Sequence, residues 1–296
     1  MGAVWSSCPR GGCADGGIPK DLVLKKTEHS VKVDFERVMD HALRSWAAYH
    51  KPEEIESGVF KQPVSPFGNN SVSREVLPLG SLGLFLEHQK DGTQWVCVRG
   101  TDNLANVKDD IRYNMEHSPD LGIRVHKGFL SLYAKAWDDL HSRLDKTKPI
   151  KLTGHSLGGA VAALLSLRLK KAGYRLMETV TFGAPKFTDF AGSVQYIKHQ
   201  VPLLRITNKG DPVPAGPPWD DYVHAGAEVH LFGDDPITFR WINGSEATVD
   251  DSEAAGKFWK HMVAATNHRL VDYLQNIWPK MAKRNQALET ALKHYL

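Results

Sequence analysis

Ser156 sits in the run Gly154-His155-Ser156-Leu157-Gly158-Gly159, with a glycine two residues before it and another two residues after. A serine hydroxyl attacks a carbonyl at neutral pH only when a base removes its proton and donors wait for the charge that moves to oxygen. The flanking sequence suits that chemistry. Residues 149–153 are short and β-capable, and residues 160–171 are rich in Ala and Leu and stop at Gly173. Strand, sharp turn and helix is the expected order, the sequence form of a nucleophile elbow. On such a turn the serine backbone is strained and its neighbours must lack side chains, which gives Gly154 and Gly158 their place. The Leu157 amide, at the start of the helix, then faces the incoming carbonyl as an oxyanion donor.

A base needs a carboxylate to orient it, and with an elbow the usual chain order is Ser, acid, His. Asp211 fits the acid. It follows the apolar run 203–207 and lies between Gly210 and Pro212, with Pro214 stiffening the same loop. Fourteen histidines leave the base less determined, and of these His224, His230, His261, His268 and His294 follow Asp211. His268, at the entry of a helix-compatible run, is the first choice, with His224 and His261 as alternatives. His126 and His155 precede the acid and are expected to be structural.

The elements that must position these groups alternate. Residues 33–49 carry apolar side chains at spacings of three and four and predict an amphipathic helix. Residues 57–80, rich in Pro, Ser and Asn, read as a loop. Strand-like runs at 82–87 and 94–98 are joined through Asp91-Gly92, a hairpin turn, and a helix fits 129–144. Beyond the elbow, 178–182 and 203–207 read as strands. The pattern predicts an α/β fold with a mostly parallel, twisted central sheet covered by helices on both faces. Three parts are expected: a flexible leader over 1–30, a catalytic domain over 31–279, and an amphipathic C-terminal helix over 280–296.

Composition narrows the field further. A formal net charge of +3 over 296 residues leaves no nucleic-acid footprint. No run approaches 18 uninterrupted apolar residues. Cys8, Cys13 and Cys97 make a poor disulfide framework, which points to a reducing compartment. The first residues match the M-G-x-x-x-[ST] rule for myristoylation of Gly2, with Cys8 and Cys13 as palmitoylation candidates, and they lack the apolar core of a secretory signal. One acyl chain holds a protein marginally at a bilayer and a second makes the attachment durable. The expectation is a cytoplasmic protein, peripheral on the cytosolic face of a membrane.

Several separated stretches carry a family resemblance: Val98-Arg99-Gly100-Thr101, Val125-His126-Lys127-Gly128-Phe129, the elbow, Thr181-Phe182-Gly183-Ala184-Pro185-Lys186, the Asp211 segment, and His268 with Leu270, Tyr273 and Leu274. In that order the chain resembles a class 3 lipase of the α/β-hydrolase superfamily, the fungal-lipase-like group that includes plant phospholipases A1. The resemblance implies Ser156 as nucleophile, Asp211 as orienting acid and His268 as base. His224-Ala225-Gly226-Ala227-Glu228 matches a stretch of the family that does not supply the catalytic histidine. Thr101 takes the position whose amide and hydroxyl complete the oxyanion hole with Leu157. Residues 102–115 correspond to a lid, with Leu104, Val107, Ile111 and Met115 at helical spacing, more charged than the most apolar lids of the family because of residues such as Lys108.

The function implied is a serine hydrolase cleaving carboxylic esters of acyl lipids through an acyl-enzyme, as a glyceride lipase or as a phospholipase A. Acyl transfer to another alcohol would use the same residues. The alternative from another class is a lipidated scaffold or lipid-binding module that keeps the fold without chemistry. No metal, organic cofactor or obligate protein partner is called for, since no H-E-x-x-H, paired C-x-x-C or G-x-G-x-x-G is present.

Overall fold

The computed structural model describes residues 33–60, 67, 69–79, 82–101, 114–219, 221–232, 239–242 and 267–281. An eight-stranded sheet runs through it in the order β1 (Ser71–Leu79), β2 (Leu82–Gln89), β3 (Gln94–Val98), β6 (Ile150–His155), β7 (Leu176–Phe182), β8 (Leu203–Asn208), β9 (Ala227–Leu231) and β10 (Phe239–Ile242). β3, β6, β7, β8 and β9 are mutually parallel, while β1, β2 and β10 add antiparallel edges. A separate antiparallel ribbon is made by β4 (Met115–Ser118) and β5 (Ile123–His126).

Two helical layers cover the sheet. On one face lie α3 (Lys127–Leu140) and α4 (Leu157–Lys171), with α5 (Phe190–Lys198) following β7. α4 is apolar nearly all round, from Ala160 to Leu165 and again at Leu167 and Leu169, so it is buried rather than half-wetted. On the other face α1 (Phe35–Ala47) and α6 (Leu270–Ile277) pack Val38, Met39, Tyr273 and Ile277 against Val180, Phe182, Ile206 and Val229. Asp34 begins α1 by accepting the Arg37 amide at 3.0 Å. Arg44 of the same helix reaches Glu87 of β2 at 2.7 Å, tying the helix to an antiparallel edge. Among the described residues no helix is long and apolar enough to cross a membrane.

The structure corrects the sequence reading in two places. Residues 57–80 are not one loop: β1 occupies Ser71–Leu79, behind the short α2 (Pro52–Ser57). This edge strand carries three consecutive polar residues, Ser73-Arg74-Glu75, exposes Val72 and has a proline near its end, which edge strands tolerate, so its β signal is weak. Met115 is not part of a helical stripe but the first residue of β4, paired with His126. Leu104, Val107 and Ile111, the leader with Gly2, Cys8 and Cys13, and all of the expected C-terminal helix beyond Met281 lie outside the described residues.

Candidate active site

The elbow forms as the glycine spacing predicts. β6 ends at His155, Ser156 adopts φ 57 and ψ −130, and α4 begins at Leu157. A positive φ at a serine is strained backbone. It is held by the Ser156 amide donating to Phe182 O at 2.9 Å and by the Gly159 amide donating to Ser156 O at 2.9 Å. A side chain at Gly154 would place its Cβ 2.4 Å from the Gly158 carbonyl oxygen, and one at Gly158 would lie 2.4 Å from Val98 O. Both glycines are therefore steric requirements of the turn.

Asp211 lies in the loop after β8, at the same edge of the sheet as Ser156. Its Oδ1 accepts the Val213 amide at 2.9 Å, and its Oδ2 accepts the Tyr273 hydroxyl at 2.5 Å. His268 precedes α6 and points Nδ1 at the same carboxylate, 3.0 Å from Oδ1 and 2.9 Å from Oδ2. A carboxylate only accepts, so Nδ1 carries the hydrogen, and Nε2 is the ring nitrogen turned away from the acid. The two loops are laced together: Asn267 Nδ2 donates to Lys209 O at 3.1 Å, and Asn208 Nδ2 donates to Asn267 O at 3.3 Å. Ser156 Oγ and His268 Nε2 are both buried, and neither has a hydrogen-bond partner among the described residues. They are not bonded to each other here, a common state of such pairs before substrate closes the site.

Gly183 closes the floor of this arrangement with φ +56. A Cβ there would sit 2.9 Å from both Asp211 Oδ2 and Tyr273 Oη and 3.0 Å from His268 Cε1. Gly100 performs the same service beside the nucleophile, where a Cβ would lie 3.1 Å from Ser156 Cβ and 2.7 Å from His155 O. Thr101 follows directly and is half-buried. Thus the structure brings Asp211 and His268 into contact, with Ser156 and the Gly100-Thr101 segment packed together at the same sheet edge.

The alternative bases are placed elsewhere. His224 is buried with Nε2 donating to Pro214 O at 2.7 Å, and burial pushes its pKa well down. His261 lies outside the described residues. His126 is buried against Phe129, with burial lowering its pKa to about 4. Sequence reasoning assigned no role to Tyr273 and Gly183, and Tyr49 gave no signal at all. The first two fall inside quoted motifs, and the spacing of five between His268 and Tyr273 could have indicated a hydroxyl in the first turn of the helix that follows the base.

A cavity of about 480 Å³, lined by residues including Met177, Thr179, Ile197, Leu203 and His224, lies at the opposite edge of the sheet, where β7, β8 and β9 begin. It belongs to a different part of the molecule from Ser156.

A mostly parallel sheet, a serine elbow and an acid–histidine pair at the carboxyl ends of its strands define an α/β-hydrolase fold. The lipase of Rhizopus microsporus var. chinensis superposes with a TM-score of 0.66 at 23% identity, over 80% of this chain and 88% of that one. Residues 95–221 match the family model described as Lipase (class 3). A lipase of Rhizomucor miehei is 30% identical over 178 residues, 56% of this chain and 49% of its own length. A relative in Gibberella zeae, called "Secreted mono- and diacylglycerol lipase 2", is 32% identical over 174 residues, 46% of this chain and 42% of its own. Over this central segment the chain is similar to the class 3 lipases. It spans about half the length, or less, of the curated relatives it matches.

The relatives overturn one expectation. A cytoplasmic location on the cytosolic face of a membrane is contradicted by the relatives, two of which are named as secreted lipases. That expectation rested on the N-terminal acylation rule, the lack of an apolar signal core and the cysteine count. Disulfides mark secreted chains mainly when the core is too small to hold the fold, and this chain has a large core and buries Cys97 as a free thiol in a smaller apolar cluster beside Phe85 and Trp95.

Proposed function

We propose that this protein is a serine carboxyl-ester hydrolase acting on acyl glycerides. The observation that carries the reading is the Asp211 carboxylate fixing His268 through Nδ1 at 2.9 Å, with Nε2 and Ser156 Oγ both buried and without other partners among the described residues. In this reading Nε2 takes the Ser156 proton as Oγ attacks the ester carbonyl. The amides of Thr101 and Leu157 receive the oxyanion, each such donor being worth about 2.7–4 kcal/mol of barrier. The imidazolium then protonates the departing alcohol, and water activated by the same nitrogen releases the acid. Tyr273 and Val213 hold the carboxylate while the imidazole shuttles its proton.

Glycerides rather than phospholipids are favoured because the relatives are lipases, one of them named for mono- and diacylglycerols. Leu104, Val107 and Ile111 belong to this reading as a lid. Residues 31–279 are assigned to the catalytic domain, with 1–30 as leader and 280–296 as a C-terminal helix. Acylation at Gly2, Cys8 and Cys13, and the membrane association it would bring, rest on the sequence rule alone. Myristate labelling that is equal in wild type and Gly2→Ala would remove that part without touching the chemistry.

The test compares wild type and Ser156→Ala on mono-, di- and triacylglycerols and on phosphatidylcholine, with a fluorophosphonate probe in parallel. Hydrolysis of the glycerides and labelling are expected in wild type and lost by at least a thousandfold in the variant. Equal labelling of the two proteins would overturn the reading.

A further inference from the structure

His155 lies between Gly154 and Ser156, yet its side chain points away from the reaction and joins two other parts of the site. Its Nε2 is 2.7 Å from the main-chain oxygen of His268, and its Nδ1 is 2.7 Å from the Tyr49 hydroxyl. The carbonyl can only accept, so Nε2 carries the hydrogen. Burial and the neighbouring His268 push the pKa of His155 well below the ordinary histidine value, which leaves Nδ1 as an acceptor for the Tyr49 O–H. The Tyr49 oxygen in turn accepts the Gly100 amide at 3.2 Å. The order of donation is therefore Gly100 N–H to Tyr49, Tyr49 O–H to His155, and His155 N–H to His268 C=O.

We propose that His155 is a positioning residue that clamps the main chain of His268 and, through Tyr49, the Gly100-Thr101 segment to the serine elbow. This rests on the reading of Ser156, Asp211 and His268 as an ester-hydrolysing set. His268 stands on a turn between 243–266, which lie outside the described residues, and α6. Its ring is aimed by Asp211, but its main chain needs its own anchor if Nε2 is to return to one place after each proton transfer. The rings of His155 and His268 lie 4.6 Å apart at 32°, so the anchor also forms a wall against which the base rests. An uncharged His155 in that position adds no repulsion when His268 becomes an imidazolium.

Two substitutions separate the links. Gln places an amide near the Nε2 position and keeps a donor for the His268 carbonyl, whereas Asn places one near Nδ1 and keeps only the Tyr49 side. On a soluble short-chain ester, His155→Asn is expected to lower kcat at least twentyfold with KM within twofold of wild type. His155→Gln and Tyr49→Phe, which lose the same link, should each fall no more than about fivefold. A purely structural role would lower both His155 variants alike, so a gap between them of less than fourfold overturns the proposal. Should His155→Asn fail to fold, Tyr49→Phe decides: a two- to fivefold loss of kcat with unchanged KM supports the clamp, and wild-type kcat overturns it. Ser156→Ala run alongside separates the two layers. If it labels and hydrolyses like wild type, the functional reading fails; if it is inert while His155→Asn keeps wild-type kcat, only the clamp fails.

Discussion

Tyr273 donates its hydroxyl hydrogen to Asp211 Oδ2 at 2.5 Å, the same oxygen that His268 Nδ1 reaches at 2.9 Å. The phenol also accepts the Asn208 amide at 3.3 Å, so it links the end of β8 to the acid that follows it. Burial, and after it the Asp211 charge, push the Tyr273 pKa well above 10, which keeps the donor protonated at any working pH. Hydrogen bonds to a charged group contribute about 1.5–3 kcal/mol. Tyr273→Phe removes one atom from α6 and leaves Asp211 free to turn away from His268. A tenfold to hundredfold loss of kcat, with little change in KM, is the expected result of steady-state kinetics on a soluble ester. A variant with wild-type kcat would show that Val213 and His268 alone hold the carboxylate.

The site and the fold were legible to different extents. Gly154, Ser156 and Gly158 form a local pattern whose strain and packing follow from three residues, so the elbow could be read directly. Asp211 was found because a parallel strand delivers its following loop to the same sheet edge. β1 and β9 escaped for a common reason. β1 is interrupted by Ser73-Arg74-Glu75, and β9 alternates Glu228 and His230 with apolar residues toward a buried ionic group, so neither has the apolar run by which β6 and β8 are recognised. The links of His155 to Tyr49 and to His268 join residues more than a hundred positions apart, and no spacing rule reports a contact of that kind.

The ionic group on β8 and β9 makes a separate prediction. Arg205 and Glu228 are 2% and 0% exposed and meet at 2.8 Å, and the Thr207 hydroxyl donates to the other Glu228 oxygen at 2.5 Å. Removing one charge from a buried pair leaves the other desolvated and unmatched, at about 3–5 kcal/mol. Glu228→Gln keeps the shape and removes the charge that balances Arg205. Chemical denaturation should therefore show a loss of that order, with an unchanged m-value. A change below about 1 kcal/mol would mean that the guanidinium is neutralised by another group.

Acid should act on this protein through its buried histidines. Burial lowers the pKa of His126 to about 4, and it lowers those of His155 and His224 as well. For each of them the folded value lies below the unfolded value of about 6.5. A depressed folded pKa contributes stability that is fully present above the unfolded value and is lost as pH falls, because the unfolded chain takes up protons that the folded one excludes. Each such group removes up to about 1.4 kcal/mol per pH unit below 6.5, until its own folded value is reached. For His126 the window runs from about 6.5 down to about 4. The melting temperature is expected to be level between pH 7 and 8 and to fall steeply from pH 6 to 4.5. His126→Phe, which keeps the aromatic contact with Phe129, should make that fall shallower. If both proteins lose stability in parallel over the whole range, the protonation of His126 does not drive the acid transition.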